Sequence, residues 1–194
     1  MKLGRLNRRF HETLVALWNP ATQLWDGTAK ICLQVSDRFI SDRSFGQRKR
    51  NVFSAEKFAQ DVIRIDDQVY CVESNEFDME GSEKLGWIIM VHELPFQCTF
   101  SKLVSEKRAN GDPLPAQRVD LVTTWCDIDR YSAEKNQITA GDNTTFNVAF
   151  PRYVLELIDE DCFLTVGGIE YDLDQVAHNL DCGWARAVRR GVPA

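Results

Sequence analysis

The sequence lacks the short motifs that mark most enzyme classes. It has no GxSxG elbow for a serine nucleophile and no Walker loop or GxGxxG turn for a nucleotide. It also has no HExxH pair and no Cys/His group with zinc-ligand spacing, and its three histidines, His11, His92 and His178, are dispersed. These absences predict a protein that is not an enzyme, with no catalytic residues and no bound metal or cofactor.

The six cysteines include no CxxC pair, and several lie in apolar, strand-like runs. This pattern is typical of reduced core cysteines in a cytosolic product, and not of a disulfide framework. We therefore expect buried free thiols at Cys32, Cys71, Cys98, Cys126, Cys162 and Cys182.

Long apolar runs are also absent. None approaches the roughly 18 residues that a membrane span needs. The N-terminus is basic, but no hydrophobic region long enough for a secretory signal follows it. We therefore expect no membrane partner.

Charge is concentrated in two places. The net charge of −6 argues against a surface that binds nucleic acid throughout. A polar stretch from Ser36 to about Glu56, predicted as a long loop, holds the basic residues Arg48, Lys49 and Arg50, which could contact DNA phosphate or an acidic protein surface. An acidic loop holds Asp159, Glu160 and Asp161. A solvated acidic face is favoured there over a metal site, because EF-hand spacing is absent.

The N-terminal region shows apolar residues at four-residue spacing. This spacing predicts an amphipathic helix from about Arg5 to Trp18, ended by Asn19-Pro20. The helix would pack on its own domain or dock a partner. The apolar positions are Leu6, Phe10, Leu14 and Trp18.

The strongest local pattern predicts a β-hairpin over residues 162–174. Apolar residues alternate on both sides of Gly167-Gly168, a dipeptide suited to a type I′ turn, in which both central residues need positive φ. The expected pairs are Val166 with Ile169, Leu164 with Tyr171, and Cys162 with Leu173, all on one face. The predicted hairpin core comprises Leu164, Val166, Gly167, Gly168, Tyr171 and Leu173.

The two halves of the chain resemble each other over a short stretch, which either an internal repeat or convergent hairpin chemistry would produce. Residues 65–72 align without a gap on 166–173, with Tyr70 on Tyr171, and each hairpin is followed by a Gly-Trp pair. We expect a mainly β protein of two tandem small antiparallel barrels or sandwiches, with a short N-terminal helix. Pro- and Gly-containing residues 102–116 would link domain 1–101 to domain 117–194. Further strands are predicted at 29–35, 62–65, 68–72, 86–91, 96–100, 119–128, 144–150 and 183–188.

Motifs in about the last 75 residues resemble those of phage head–tail joining proteins, the head-closure, stopper or connector family. They are a Trp-containing strand end, a polar stretch with a Glu, an Arg-Tyr pair after a strand, and a hairpin with a Gly turn and a Tyr. Two features depart from the family pattern: Pro151 is expected to interrupt the strand before the Arg-Tyr pair, and an extra N-terminal half is present. The motifs are Thr124–Asp129, Ala133-Glu134, Phe146–Tyr153 and Phe163–Leu173.

The resemblance implies a structural protein of the virion, made in the bacterial host cytoplasm. Such proteins form a homo-oligomeric ring, with six or twelve copies expected here, beneath the portal or its adaptor. The ring closes the DNA exit after packaging and receives the tail proteins, while phage DNA passes through its lumen. Arg48, Lys49, Arg50, Asp159, Glu160 and Asp161 would then be candidate channel or neighbour contacts.

Three alternatives stay open. A tail terminator or tail-completion ring belongs to the same class. A small β-barrel could instead bind nucleic acid, although the net charge and the lack of basic residues interleaved with aromatics argue against it. A metal hydrolase built on the acidic loop is the remaining alternative.

Overall fold

A computed structural model describes residues 10–34, 49–80, 83–105, 108, 112, 114–128, 145–178 and 182–189. The chain divides into two compact units. The first contains the described residues up to Pro95 together with Cys182, and the second contains those from Phe96 to His178 and from Gly183 onward.

The first unit is a closed barrel of six antiparallel strands. Their order around the barrel is β1-β2-β3-β6-β5-β4, and β4 closes the barrel by pairing with β1. Every strand therefore has a neighbour on both sides, although β2 and β3 pair only at Ile31–Ser54 and Cys32–Phe53 among the described residues. The strands are β1 (Phe10–Asn19), β2 (Leu24–Gln34), β3 (Lys49–Ser54), β4 (Val62–Ile65), β5 (Gln68–Glu80) and β6 (Glu83–Glu93).

The second unit is a closed antiparallel barrel with the order β7-β8-β9-β12-β11-β10, and β10 closes on β7. A 3₁₀ turn, Arg152–Glu156, connects β9 to β10. Numbered from its own first strand, each barrel has the order 1-2-3-6-5-4. The strands are β7 (Phe96–Val104), β8 (Gln117–Ile128), β9 (Thr145–Phe150), β10 (Cys162–Val166), β11 (Ile169–His178) and β12 (Gly183–Arg189).

Each barrel has its own apolar interior, because alternate residues of every strand point inward. The first interior includes Val15, Ile31, Val52, Ile63, Ile65, Tyr70, Val72, Ile89 and Val91. The second includes Cys98, Phe100, Val122, Cys126, Phe146, Val148, Phe150, Leu164, Leu173, Ala185 and Ala187.

The internal repeat extends to an irregularity in the strands. The β5–β6 register shifts between Val72 and Ser74, which makes Glu73 a bulge residue. The β11–β12 register shifts between Leu173 and Gln175, which makes Asp174 a bulge residue. In the gapless alignment Glu73 falls on Asp174, so both barrels bulge at the same point. The prediction of a mainly β protein with two tandem β-domains is confirmed by the two barrels, which share one strand order and this bulge.

The Gly-Gly hairpin is confirmed. Gly167 and Gly168 have φ of 58° and 80°, as a type I′ turn requires. Val166 pairs with Ile169 and Leu164 with Tyr171, as predicted. The regular pairing ends at Phe163 with Asp172, and Cys162 and Leu173 beyond it are both buried in the second interior.

The predicted N-terminal helix is wrong over its described part, because Phe10–Asn19 is strand β1. A four-residue spacing is a multiple of two, so it also places residues on one face of a strand. Leu14 and Trp18 do share a face, but Leu14 is 61% exposed. The neighbouring position, Val15, is the one buried in the core. Residues 5–9 lie outside the described part.

Two predicted boundaries are corrected. The polar stretch 36–56 is not all loop, since Lys49–Ser54 forms β3 between β2 and β6; residues 36–48 lie outside the described part. The division between domains comes after Pro95 rather than at 102–116. Residues 96–104 form β7, which pairs with β8 and β10 of the second barrel.

Candidate functional site

A row of polar residues crosses three adjacent strands of the first barrel. Lys49 of β3 lies opposite His92 of β6, and His92 lies opposite Cys71 of β5. Residues paired across strands share one face. The neighbouring pair, Val72 and Val91, points into the interior, so the row lies on the outer face. Cys71 and His92 are nevertheless buried, with 1% and 0% of their surface exposed.

The bulge in β5 brings a carboxylate to this row. The side chain of Glu73 is 1% exposed. Its Oε1 lies 2.8 Å from Lys49 Nζ and 3.2 Å from His92 Nδ1. Its Oε2 is buried and has no hydrogen-bond partner among the described residues. A buried polar atom of this kind is uncommon in folded proteins and needs a physical explanation.

A second thiol completes the group. Cys182 belongs to the same compact unit and is fully buried. Its Sγ lies 2.6 Å from Cys71 Sγ and 3.8 Å from Glu73 Oε1. Ligand atoms of Cys71, His92 and Cys182 all lie within 4.8 Å of one another. We refer to Cys71, Glu73, His92 and Cys182 as the thiol–imidazole cluster.

Burial and neighbouring charge act in opposite directions within the cluster. Burial, helped by the hydrogen bond to Cys182, raises the pKa of the Cys71 thiol well above its ordinary value. Burial also acts to raise the pKa of Glu73, but hydrogen bonds with His92 and Lys49 outweigh it and the pKa is lowered. The cluster therefore contains a charged carboxylate beside a neutral thiol.

Sequence reasoning missed this cluster because its members are far apart in the chain. Cys71 and Cys182 are separated by 111 residues, and Glu73 and His92 by 19. Zinc motifs are recognised by short spacings, which these residues do not have. Only the strand register and the bulge bring them together. The prediction of buried free thiols is confirmed for all six cysteines.

The predicted basic contacts lie in a strand. Lys49 and Arg50 begin β3 and are half-buried, whereas Arg48 lies outside the described residues. Lys49 pairs with Glu73. The guanidinium of Arg50 lies 4.3 Å from the centre of the Tyr70 ring, a cation–π contact. Both residues thus contribute to the packing of the first barrel.

The predicted acidic contacts form a turn into β10. Asp159 accepts hydrogen bonds from the Asp161 backbone N–H at 3.1 Å and from the Cys162 thiol at 3.3 Å. Lys102 Nζ also donates to Asp159 and lies 3.7 Å from Asp161. The bond from Lys102 lowers the pKa of Asp159 below its ordinary value. Glu160 is exposed, so the loop is a largely solvated acidic surface partly neutralised by Lys102.

Two of the motifs that carry the family resemblance meet in the second barrel. Thr124, near the end of β8, shares a 2.8 Å hydrogen bond with the hydroxyl of Tyr153 in the 3₁₀ turn. Pro151 precedes that turn with a φ of −60°, so it follows β9 and does not interrupt it. Glu134 lies outside the described residues.

The sequence matches no protein-family model and no curated protein. Within the described part of the chain, no helix combines the length and hydropathy that crossing a membrane demands.

Proposed function

We propose that this protein is a structural component of a tailed-phage virion at the head–tail junction. It would form a homo-oligomeric ring that closes the DNA channel after packaging and connects the portal or adaptor to the tail. The observation that carries the proposal is the arrangement of the motifs in the second barrel. The Trp-containing strand end and the Arg-Tyr pair meet there through the Thr124–Tyr153 hydrogen bond.

The charge distribution supports a passage for DNA rather than a binding site. The net charge of −6 and the exposed acidic loop would repel phosphate. The basic residues Lys49 and Arg50, the described members of the predicted basic group, are engaged by Glu73 and Tyr70. We therefore expect these described residues to make few attractive contacts with the phosphates of DNA in the lumen.

The closed barrels restrict how subunits could associate. Every strand has a neighbour on both sides, so edges open to another subunit are confined to stretches of partial pairing; among the described residues, β8 pairs with β9 only at Asp127 and Ile128. Side chains on outer faces and loops offer further contacts. A shallow groove beside the ends of β7 and β8 offers such a surface. Its lining includes Val104, Leu114, Pro115 and Val119, and Val104 and Val119 are 42% and 43% exposed. We assign this groove as a subunit contact of the ring.

Charge in the groove should disrupt the ring without unfolding the subunit. Val119→Asp places a carboxylate on the apolar contact, and desolvating it would oppose association. Because Val119 is already half exposed, we expect the subunit to keep its circular dichroism spectrum. Light scattering after gel filtration should show a ring for the wild type and a monomer for the variant. Leu24→Asp is the matched control, since Leu24 is an exposed apolar residue of the first barrel (60%).

A wild-type protein that stays monomeric at every accessible concentration would argue against a self-assembled ring. A ring that survives Val119→Asp but not Leu24→Asp would place the contact on the first barrel.

The position in the virion is tested by electron microscopy of particles made with a nonsense mutation in the gene. Heads filled with DNA or leaking it, lying beside separate finished tails, are expected for a head-closure protein. Finished heads with absent or overlong tails would indicate a tail terminator or completion ring instead. Normal infectious particles would rule out the structural proposal.

A further inference from the structure

The thiol–imidazole cluster lies outside everything that the proposed function uses. Four side chains with metal-binding donor atoms converge there, and all four residues are buried. We propose that Cys71, His92 and Cys182 bind one structural Zn²⁺ ion in the first barrel, with Glu73 Oε2 as the fourth ligand.

The donor set suits zinc. Zinc in proteins is bound by cysteine sulfur, histidine nitrogen and carboxylate oxygen, with four ligands in a closed structural site. Two thiolates, one imidazole and one carboxylate make up such a set. Glu73 Oε1 is already held by Lys49 and His92, whereas Oε2 has no partner among the described residues. Coordination gives that buried oxygen a role.

Two kinds of link between the two sulfurs have to be distinguished, a shared metal ion and a disulfide bond. The Sγ atoms of Cys71 and Cys182 lie 2.6 Å apart, close enough for either one metal ion or one disulfide bond to join them after a small movement. Zn–S bonds of about 2.3 Å in a tetrahedron place the sulfurs roughly 3.8 Å apart, so metal entry requires them to separate by about 1 Å. A disulfide would link the sulfurs but would leave His92 and the free oxygen of Glu73 at the same place unexplained.

Metal binding also preserves the charge of the buried site. Without metal, the carboxylate of Glu73 is balanced by the ammonium of Lys49 at 2.8 Å, and burial keeps the Cys71 thiol neutral. When Zn²⁺ enters, the two thiols each release one proton to solvent, as thiolate coordination requires. Two positive charges arrive and two protons leave, so the net charge of the cluster does not change. Burying the ion therefore incurs no uncompensated charge.

The second barrel provides an internal comparison. With the hairpins aligned, Cys71 corresponds to Asp172 and Glu73 to Asp174. Through the paired strands, His92 corresponds to Val188. Asp174 pairs with Arg186 at 3.4 Å. The donor set is therefore a property of the residues of the first barrel and not of the fold that both barrels share.

The test is the metal content of the untagged full-length protein, measured by plasma mass spectrometry after extensive dialysis. We expect about one zinc per chain in the wild type, the stoichiometry of one closed site. Cys71→Ser and Cys182→Ser should each lower bound zinc at least tenfold, because serine is a poor zinc ligand. Cys98→Ser is the matched control. It removes another buried cysteine, in the second barrel, and should leave the zinc content unchanged.

Cobalt provides a readout of the ligands themselves. Co²⁺ added to the metal-free wild type should give thiolate-to-cobalt charge-transfer absorption and the visible bands of a tetrahedral ion. Glu73→Gln should keep the charge-transfer absorption and weaken Co²⁺ affinity by at least about 10–100-fold, the range seen when even an outer-shell partner of a metal ligand is lost.

Two results would overturn the proposal. One is wild-type protein that carries no metal and binds neither Zn²⁺ nor Co²⁺ after reduction. The other is a Cys71–Cys182 disulfide, found by peptide mapping in protein isolated with its thiols protected. Both are measured on the wild type, so a variant that fails to fold cannot obscure them. The proposal does not depend on the virion role.

Discussion

Replacing Gly183 with alanine is expected to destabilise the protein by about 3 kcal/mol, at the upper end of what overpacking a core usually costs. Gly183 is the first residue of β12 and lies opposite Phe150 of β9. An added Cβ would lie within 2.9 Å of three ring carbons of Phe150. The ring cannot easily move away, because Phe150 is fully buried and packs edge-on against Phe100 with ring centres 5.1 Å apart.

Urea unfolding followed by circular dichroism would measure this cost. Phe150→Leu in the same chain should restore part of the stability, since it removes the ring atoms that the new methyl group meets. The double variant should then be less destabilised than the sum of the two single variants, which is the sign of coupling between residues in contact. Gly27→Ala is the control, because its Cβ would approach the Leu17 side chain no closer than 3.2 Å. Equal effects at Gly183 and Gly27 would contradict the argument.

At the positions of the first barrel that correspond to Gly183 and Phe150, the large and the small side chain are exchanged. Following the paired strands outward from the aligned hairpins, Gly183 corresponds to Trp87 and Phe150 to Ser54. Trp87 is the large member and Ser54 the small one there. In both barrels a small residue thus faces a large aromatic one, which maintains the volume that a closed core must fill. The two Gly-Trp pairs matched in the sequence therefore differ by one position in the structure, because Trp184 corresponds to Ile88 and not to Trp87.

The sequence was most informative where one local pattern had one physical solution. Gly167-Gly168 allows few turns, and the alternation around it sets the register, so the hairpin could be predicted residue by residue. The repeat was visible for the same reason, since its alignment covers a hairpin in each half.

Other features required long-range information. The spacing of Leu14 and Trp18 fits a helix and a strand equally well, and pairing with β2 and β4 decided between them. Lys49 and Arg50 suggested an exposed loop, but Glu73 and Tyr70 accommodate them inside a folded strand. The thiol–imidazole cluster joins residues that the chain keeps far apart. The bulge that brings Glu73 into the cluster is recognised only from the register of the paired strands.

The two repeat tyrosines should differ strongly when each is replaced by alanine. Tyr70 is 1% exposed, and Tyr70→Ala should cost about 3–5 kcal/mol, as for other large aromatic residues in a core. The loss includes the stacked guanidinium of Arg50 and the 2.6 Å hydrogen bond from the hydroxyl to Gln68. Tyr171 is only half-buried and packs edge-on against Phe146 at 4.6 Å. Tyr171→Ala should therefore cost about half as much.

Chemical denaturation of the two variants measures the difference in their free energies of unfolding. A double-mutant cycle of Arg50→Ala and Tyr70→Ala isolates the cation–π contribution, expected at about 1 kcal/mol. Equal costs at the two tyrosines would mean that the shared fold, and not the local packing, sets the energy at this position. The expected inequality would show instead that local packing sets the energy in each barrel. In the first barrel, the basic residues at the start of β3 contribute to packing, because Arg50 stacks on the buried ring and Lys49 neutralises the carboxylate beside it.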